Sequence, residues 1–356
     1  MTALTPLDQR AAAWRAWAGR AAASGPGRSL AAIGFGLVLS FLIMVVITPN
    51  PGTAFGEFVF GSFRDAYSFG TMLSVATILT VTGYAVATAF KSGAFNIGAE
   101  GQVYCGGLTA AVVSHELSGL GAGSIPISLA AAAAAGLAFM AIPALLRVYL
   151  GVDEVVTTMM SSYIAMDVTR YLVKSRFKAP DSGALETRRL PRETWLPRLL
   201  DESNLNAGLF IALAVGAAFW LVFTKTRLGL RLRIVGLQPA FAENVGISPE
   251  KLLLGGLAAS GALAGLAGGM AVIGISHNFI DSFSPQYGFL GITVALIGRL
   301  HPAGIVAAAV LYGTMITGAT SMQTVSAVPF SLVYVLQGIL ILLITARGLR
   351  RKGGNG

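Results

Sequence analysis

Along this chain the apolar positions gather into long, nearly unbroken runs rather than into stripes of period 3.6 or alternations of period 2. They fall at Leu30–Thr48, Phe69–Phe90, Gln102–Leu117, Ile125–Leu146, Glu154–Val173, Ala207–Phe223, Leu252–Ile275, Gly288–Leu300, Ala303–Thr320 and Phe330–Ala346. A helix needs about 20 apolar residues to cross a hydrocarbon core of about 30 Å. In lipid only helices and closed barrels satisfy their own backbone. The pattern therefore predicts an all-α polytopic membrane protein, with about ten transmembrane helices spread over residues 29–346. Two runs, Gln102–Leu117 and Gly288–Leu300, are short for a bilayer. The first follows Ser92-Gly-Ala-Phe-Asn-Ile-Gly-Ala-Glu-Gly101, and the second ends at Gly298-Arg-Leu-His-Pro302. Interrupted helices at membrane depth are tolerated only against protein or a water-filled cavity, and transporters build sites from them. The opening run is longer than a signal-peptide core and lacks a small-residue cleavage site after it, so it is read as a span.

Composition agrees: 54% of the 356 residues are apolar and only 12% are charged, against roughly 45–50% and about 25% in soluble domains. A disordered, collagen-like or disulfide-stapled chain is excluded, and the single cysteine, Cys105, leaves no internal disulfide or Cys-based metal cluster. The net charge of +9 raises the question of a nucleic-acid partner, but the placement of the cations answers it. With ten spans and both termini inside, fifteen of the 25 basic residues fall on the cytoplasmic side. They lie in the basic segment 1–28 (where Trp14 and Trp17 suit an interfacial helix), at Lys91 and Arg147, in the segment 225–251, and in the tail 347–356. The excess orients the chain in a membrane. Against this runs the loop 174–206, placed outside, which holds seven basic and five acidic residues.

Several segments carry possible chemistry. In Phe95-Asn-Ile-Gly-Ala-Glu-Gly-Gln102, glycines permit a break or a close approach, and Asn96, Glu100 and Gln102 bring polar groups beside apolar spans. An ionisable residue there is a candidate site, or else a turn whose Glu100 caps the next helix. Pro239 and Gly246 bound a short surface helix, Pro239–Val245, offering Phe241 and Val245 to a partner groove or to the lipid surface. Asp153 and Glu154 open a span as dipole-matching caps, with Ser161, Ser162 and Tyr163 deeper along it. Gly261, Gly265 and Gly269 form a small-residue packing face. The stretch Ser276–Tyr287 mixes aromatics with hydrogen-bonding groups, as either a vestibule for a polar solute or an interfacial loop would. A faint echo links Phe95-Asn-Ile-Gly with Gly288-Phe-Leu-Gly-Ile. No Walker-type motif is present, so energy from ATP would enter through another chain.

Four motifs occur in order: Phe95-Asn-Ile-Gly-Ala-Glu-Gly-Gln, Val152-Asp-Glu-Val-Val-Thr-Thr-Met-Met, Gly236-Leu-Gln-Pro-Ala-Phe-Ala-Glu-Asn-Val-Gly-Ile and Gly291-Ile-Thr-Val-Ala-Leu-Ile-Gly-Arg-Leu-His-Pro-Ala-Gly. Over residues 30–346 the chain resembles the permease subunits of bacterial ABC importers for nucleosides and simple sugars, in particular the nucleoside-type branch. The resemblance implies a multi-pass protein of the bacterial inner membrane. It would pair with a second permease, a cytoplasmic ABC ATPase that binds ATP and Mg, and an extracytoplasmic solute-binding protein. It implies no cofactor and no ATPase site on this chain. It also implies that Gln238, Pro239, Ala240, Phe241, Ala242, Glu243, Asn244 and Gly246 form the ATPase-coupling element. The residues proposed for the solute path are Phe95, Asn96, Glu100, Gln102, Ser162, Tyr163, Asn278, Phe283 and Gln286, where aromatic rings would stack on a base and polar groups would bond a ribose. A pentose or hexose is the sister reading. An ion-coupled transporter is disfavoured, because only Asp167 and Arg170 are ionisable well inside a span.

Overall fold

The computed structural model describes residues 38–326 together with Gly34, Val335 and Gly338. Segment 1–28, the tail 347–356 and, but for Val335 and Gly338, the span Phe330–Ala346 lie outside the described residues. Among the described residues every regular element is helical, and β structure amounts to three isolated bridges, Lys178–Thr187, Glu186–Ile280 and Arg198–Asn206. The chain divides into two compact units, Ser62–Thr317 and a smaller one made of Met1–Gly61 with Gly318–Gly356. In the smaller unit α1 (Val38–Ile47) and α2 (Pro51–Phe60) meet through Phe41 and Phe55, edge to face at 5.3 Å. There Ser321 Oγ also donates to Glu57 at 2.6 Å.

The larger unit is built around α3 (Ala66–Lys91), a helix apolar nearly all round, as a helix surrounded by others must be. Most of its threonines and serines return their hydroxyls to carbonyls one turn back, for example Thr80 to Ala76 at 2.7 Å and Thr88 to Tyr84 at 2.7 Å; the buried Thr71 hydroxyl has no partner. The other helices of this unit are α4 (Ala99–Glu116), α5 (Ser124–Leu150), α6 (Glu154–Leu172), α7 (Gly208–Lys225), α8 (Arg227–Leu237), α9 (Pro239–Asn244), α10 (Pro249–Ala271), α11 (Tyr287–Ile297) and, as far as Thr317, α12 (Pro302–Ser326), and of these α4, α7, α8, α10 and α11 pack on α3. Among the described residues, five helices are long and apolar enough to cross a membrane: Ala66–Lys91, Ser118–Leu150, Gly208–Lys225, Pro249–Ser276 and Pro302–Ser326. The break expected near Gly298–Pro302 is present: Arg299 and Leu300 take positive φ values of 53° and 55°, and α12 starts at Pro302. With 11 residues, α11 is about 16 Å long, roughly half a bilayer.

The small-residue face at residues 261–269 is a packing surface. A β-carbon on Gly136 would lie 2.3 Å from Gly261 O, and one on Gly106 would lie 2.1 Å from Gly265 O. Helices α4 and α5 thus approach α10 backbone to backbone, where dispersion rather than hydrophobicity holds helices together in lipid.

The loop 174–206, whose basic character the sequence left unexplained, docks along 273–281. Thr187 N donates to Phe279 O at 2.9 Å, Leu190 N to His277 O at 2.8 Å and Asn206 Nδ2 to Gly274 O at 2.9 Å. The Trp195 ring stacks on His277 at 3.5 Å, and Arg189, Arg192 and Arg198 sit 5.4–5.9 Å from the same indole. Three of the loop's cations are therefore spent on an aromatic plane. Burial pushes the His277 imidazole down to about 4, a hydrogen bond with Ile273 O opposes that shift, and Arg198 and Arg189 add to it.

Candidate functional site

The segment between α3 and α4 departs from helix because its donors are satisfied from outside. Helix α6 presents Glu154, Thr158 and Ser162 one turn apart on a single face. Phe95 N donates to Glu154 Oε1 at 3.4 Å, Ile97 N to Thr158 Oγ1 at 3.3 Å and Gly101 N to Ser162 Oγ at 3.2 Å. This row of acceptors replaces the carbonyls that the incoming chain and the first turn of α4 lack. It works only at close range: a β-carbon on Gly101 would meet Ser162 Cα at 2.6 Å. Asp153 caps α6 by accepting from Val155 N at 2.8 Å, while Glu154 also pairs with Arg147 at 3.0 Å. Ser162 is thus a buried interhelical acceptor; Tyr163 beside it is 52% exposed.

Asn96 and Gln102 form a buried reciprocal amide pair. Asn96 Nδ2 donates to Gln102 Oε1 at 2.8 Å and to Ser260 Oγ of α10 at 2.9 Å; Gln102 Nε2 donates to Asn96 Oδ1 at 3.2 Å and to Met140 Sδ of α5 at 3.1 Å. Phe95 projects outward, half exposed, its ring 4.9 Å from Phe90.

Glu100, 1% exposed, reaches across to the start of α11. Its Oε2 accepts from Gly288 N at 2.6 Å, and Phe289 N and the Ser284 hydroxyl donate to the same carboxylate. The capping alternative raised by the sequence is met in an unforeseen way, because the helix capped by these bonds is the half-length one 188 residues later. Two helix N-termini, those of α4 and α11, converge on one carboxylate, each contributing the positive end of its dipole. The two segments meet backbone to backbone: a β-carbon on Gly288 would lie 2.2 Å from Glu100 N. One turn beyond Glu100, Tyr104 packs on Phe283 at 5.1 Å and Phe279 at 6.0 Å, forming an aromatic cluster. Sequence reasoning missed Tyr104, although its spacing of four from Glu100 places it on the same face. Asn278 is engaged with Glu186 Oε2 at 2.9 Å, and Gln286 is exposed in a left-handed conformation, φ 65°.

The second candidate element is the Pro239–Gly246 segment. Helix α9 starts at Pro239 and stops in a Schellman closure, with Gly246 N donating to Glu243 O at 3.0 Å and Ile247 N to Ala242 O at 2.9 Å. Gly246 takes φ 75°, the left-handed value that the closure requires. Gln238, Pro239, Ala240, Phe241, Glu243 and Asn244 are exposed, whereas Ala242 is fully buried. The basic stretch before α9 is itself helical, α8, capped by Thr226 accepting from Gly229 N at 3.1 Å. Its Gly236 lies against the chain leaving α3: a β-carbon there would be 2.6 Å from Lys91 O and 3.0 Å from Gly93 N. A backbone-to-backbone contact therefore joins the α8–α9 segment to the residues immediately before Phe95.

The family profile described as branched-chain amino acid transport system / permease component matches residues 68–345. The guanosine ABC transporter permease protein NupP of Bacillus subtilis is 32% identical over 337 residues, 92% of this chain and 97% of that protein. The nucleoside ABC transporter permease protein NupB of Lactococcus lactis is 34% identical over 331 residues, 89% of this chain and 90% of that protein. The glucose ABC transporter permease protein TsgB13 of Haloferax volcanii is 30% identical over 326 residues, 88% and 86% of the respective chains. No solved structure matches.

Proposed function

The chain belongs to the branched-chain amino acid transport system / permease component family, and on that premise we propose that it is the transmembrane subunit of an ATP-driven ABC importer that moves a nucleoside into the cytoplasm. The observation that carries the solute class is the near full-length similarity to permeases named for guanosine and for nucleosides. The similarity to a glucose permease favours a simple sugar as the second reading.

In this reading the chain crosses the bacterial inner membrane about ten times with both termini inside. It binds no cofactor, and ATP and Mg are bound and hydrolysed by a partner ATPase. A second permease completes the path, and an extracytoplasmic binding protein delivers solute. The path runs beside α6, whose outward face combines Tyr163 with Asp167 and Arg170, the arginine tied to Asp281 at 3.2 Å. Phe95, Tyr163 and Gln286, which are exposed, are the groups free to meet solute. Asn96, Glu100, Gln102 and Ser162 shape the path by holding α4, α6, α10 and α11 in register, while Asn278 and Phe283 line its outer approach. The α9 helix seats in the ATPase through Phe241, Glu243 and their neighbours, and the Gly236 contact carries its displacement to the segment ahead of Phe95.

The test is uptake into proteoliposomes containing this chain, its partner permease and ATPase, with binding protein supplied outside. Radiolabelled guanosine should accumulate only with ATP, and an excess of unlabelled nucleoside should compete. Accumulation of glucose with no nucleoside uptake would replace the solute class, and accumulation of either without ATP would overturn the importer reading.

A further inference from the structure

We propose that the cleft bounded by α3, α7, α8 and α10 holds an acyl chain of an anionic phospholipid, with the headgroup resting on the cations at its mouth. The cleft has a volume of about 450 Å³ and is walled by side chains such as Phe219, Phe223, Leu228, Leu232 and Leu252. Its one polar lining residue, Thr88, donates its hydroxyl to Tyr84 O at 2.7 Å. A wall with no free hydrogen-bonding group does not recognise a nucleoside or a sugar, which would lose water without replacement; it suits an aliphatic chain.

Lys91 Nζ sits against two of the lining rings, 5.8 Å from Phe219 and 5.4 Å from Phe223. Four further cations neighbour the lining in sequence: Lys225 follows Phe223 by two positions, and Arg227, Arg231 and Lys251 precede Leu228, Leu232 and Leu252. All four cations are exposed, and none has a carboxylate partner among the described residues. Lys225 Nζ sits 5.7 Å from the exposed Trp220 ring, the kind of pair that marks a headgroup level. An apolar slot with a cationic lip fits an amphiphile with an anionic head, and clustered cations between helices at the inner leaflet attract such lipids. The slot is also kept open within this chain: a β-carbon on Gly255 of α10 would meet nothing within 4 Å, although alanine there would favour the helix by about 1 kcal/mol. Because Leu228 and Leu232 belong to α8, an occupant braces the helix that carries Gly236. The inference rests on the inside placement of 225–251 in the importer reading.

The experiment uses the chain with its partner subunits in phosphatidylcholine nanodiscs doped with phosphatidylglycerol. Retained lipid is counted by native mass spectrometry after detergent washing. Phosphatidylglycerol should be retained in preference to phosphatidylcholine. Lys225→Gln with Arg227→Gln should weaken its retention about 25-fold, at about fivefold per cation. Gly255→Leu, which fills open space, should abolish retention while the complex stays monodisperse. Equal retention of the two lipids, or undiminished retention in Gly255→Leu, overturns the proposal. So does background retention accompanied by cross-linking of Ala259→Cys to the second permease, which would give the cleft a protein occupant. Retention is read without transport, so failure here leaves the importer reading standing; loss of uptake with lipid still bound counts against that reading alone.

Discussion

Removal of the Glu100 carboxylate should loosen the junction between α4 and α11 more than any single truncation of an apolar neighbour. The carboxylate accepts from Gly288 N, Phe289 N and the Ser284 hydroxyl in a fully buried position. Hydrogen bonds to a charged group contribute about 1.5–3 kcal/mol each, but deletions within one network do not add. Glu100→Ala strands three buried donors at about 1–3 kcal/mol each and, with deletions in one network less than additive, should cost about 3–5 kcal/mol. Glu100→Gln keeps one acceptor oxygen but turns an amide N–H₂ toward donors, and about 1–3 kcal/mol is expected. For a chain of this size Glu100→Ala should lower the melting temperature by about 4–7 °C in detergent. Hydrogen exchange localises the effect: the amides of Gly288 and Phe289 should lose protection first, ahead of the α10 core. Uptake of radiolabelled nucleoside should fall in both variants. Glu100→Ala with wild-type melting and wild-type protection at Gly288 would refute the junction as a source of stability, whatever its effect on transport.

Four further outcomes are expected. Thr158→Val, nearly isosteric, removes the acceptor for Ile97 N and should destabilise by about 1 kcal/mol, read as faster exchange of that amide. Gly236→Ala drives a β-carbon to 2.6 Å from Lys91 O; ATPase binding in a pull-down should survive while ATP hydrolysis and uptake uncouple. Phe241→Ala should weaken ATPase binding without changing the melting temperature because Phe241 is exposed, whereas Ala242→Trp should melt α9 because Ala242 is fully buried. The His277 imidazole, held down to about 4, is neutral in the fold while an unfolded histidine protonates near 6.5. The unfolded chain therefore binds the extra proton between those values, and stability falls as pH drops through that window, by about 3 kcal/mol at most. His277→Gln should flatten the dependence in melting curves taken from pH 7 to pH 4.5.

What the sequence made legible was whatever neighbours in sequence enforce. Pro239 and Gly246 bracket α9 because a ring nitrogen and a left-handed residue act on their own turn, and Asp153 caps α6 for the same reason. Long apolar runs mark spans, and the paired breaks at 92–101 and 298–302 mark where helices start or stop. The partners across those breaks were not legible. Nothing near Glu100 announces that its donors lie at Ser284, Gly288 and Phe289, and nothing near Ile97 points to Thr158, since such pairings leave no local period. Helix α8 was passed over because its arginines were weighed only as part of the inside charge excess in 225–251, although Thr226 and the Leu228–Leu232 spacing support a helix. The basic loop resisted explanation because the ring that accepts its arginines, Trp195, gains its role only by lying on His277.

The Glu100–Gly288 bond also bears on the order in which the protein is made. The two residues are 188 positions apart, and at 5–20 residues per second the carboxylate emerges about 10–40 s before its donors. Throughout that interval the nascent chain carries, beside its early spans, an acid whose donors in the finished arrangement have yet to be made. Assembly of the first helices is therefore provisional, held open to water or to the insertion machinery until the start of α11 arrives. A chain truncated before Tyr287 would stay in that unfinished condition, lacking the Gly288 and Phe289 amides that the carboxylate accepts from in the full chain.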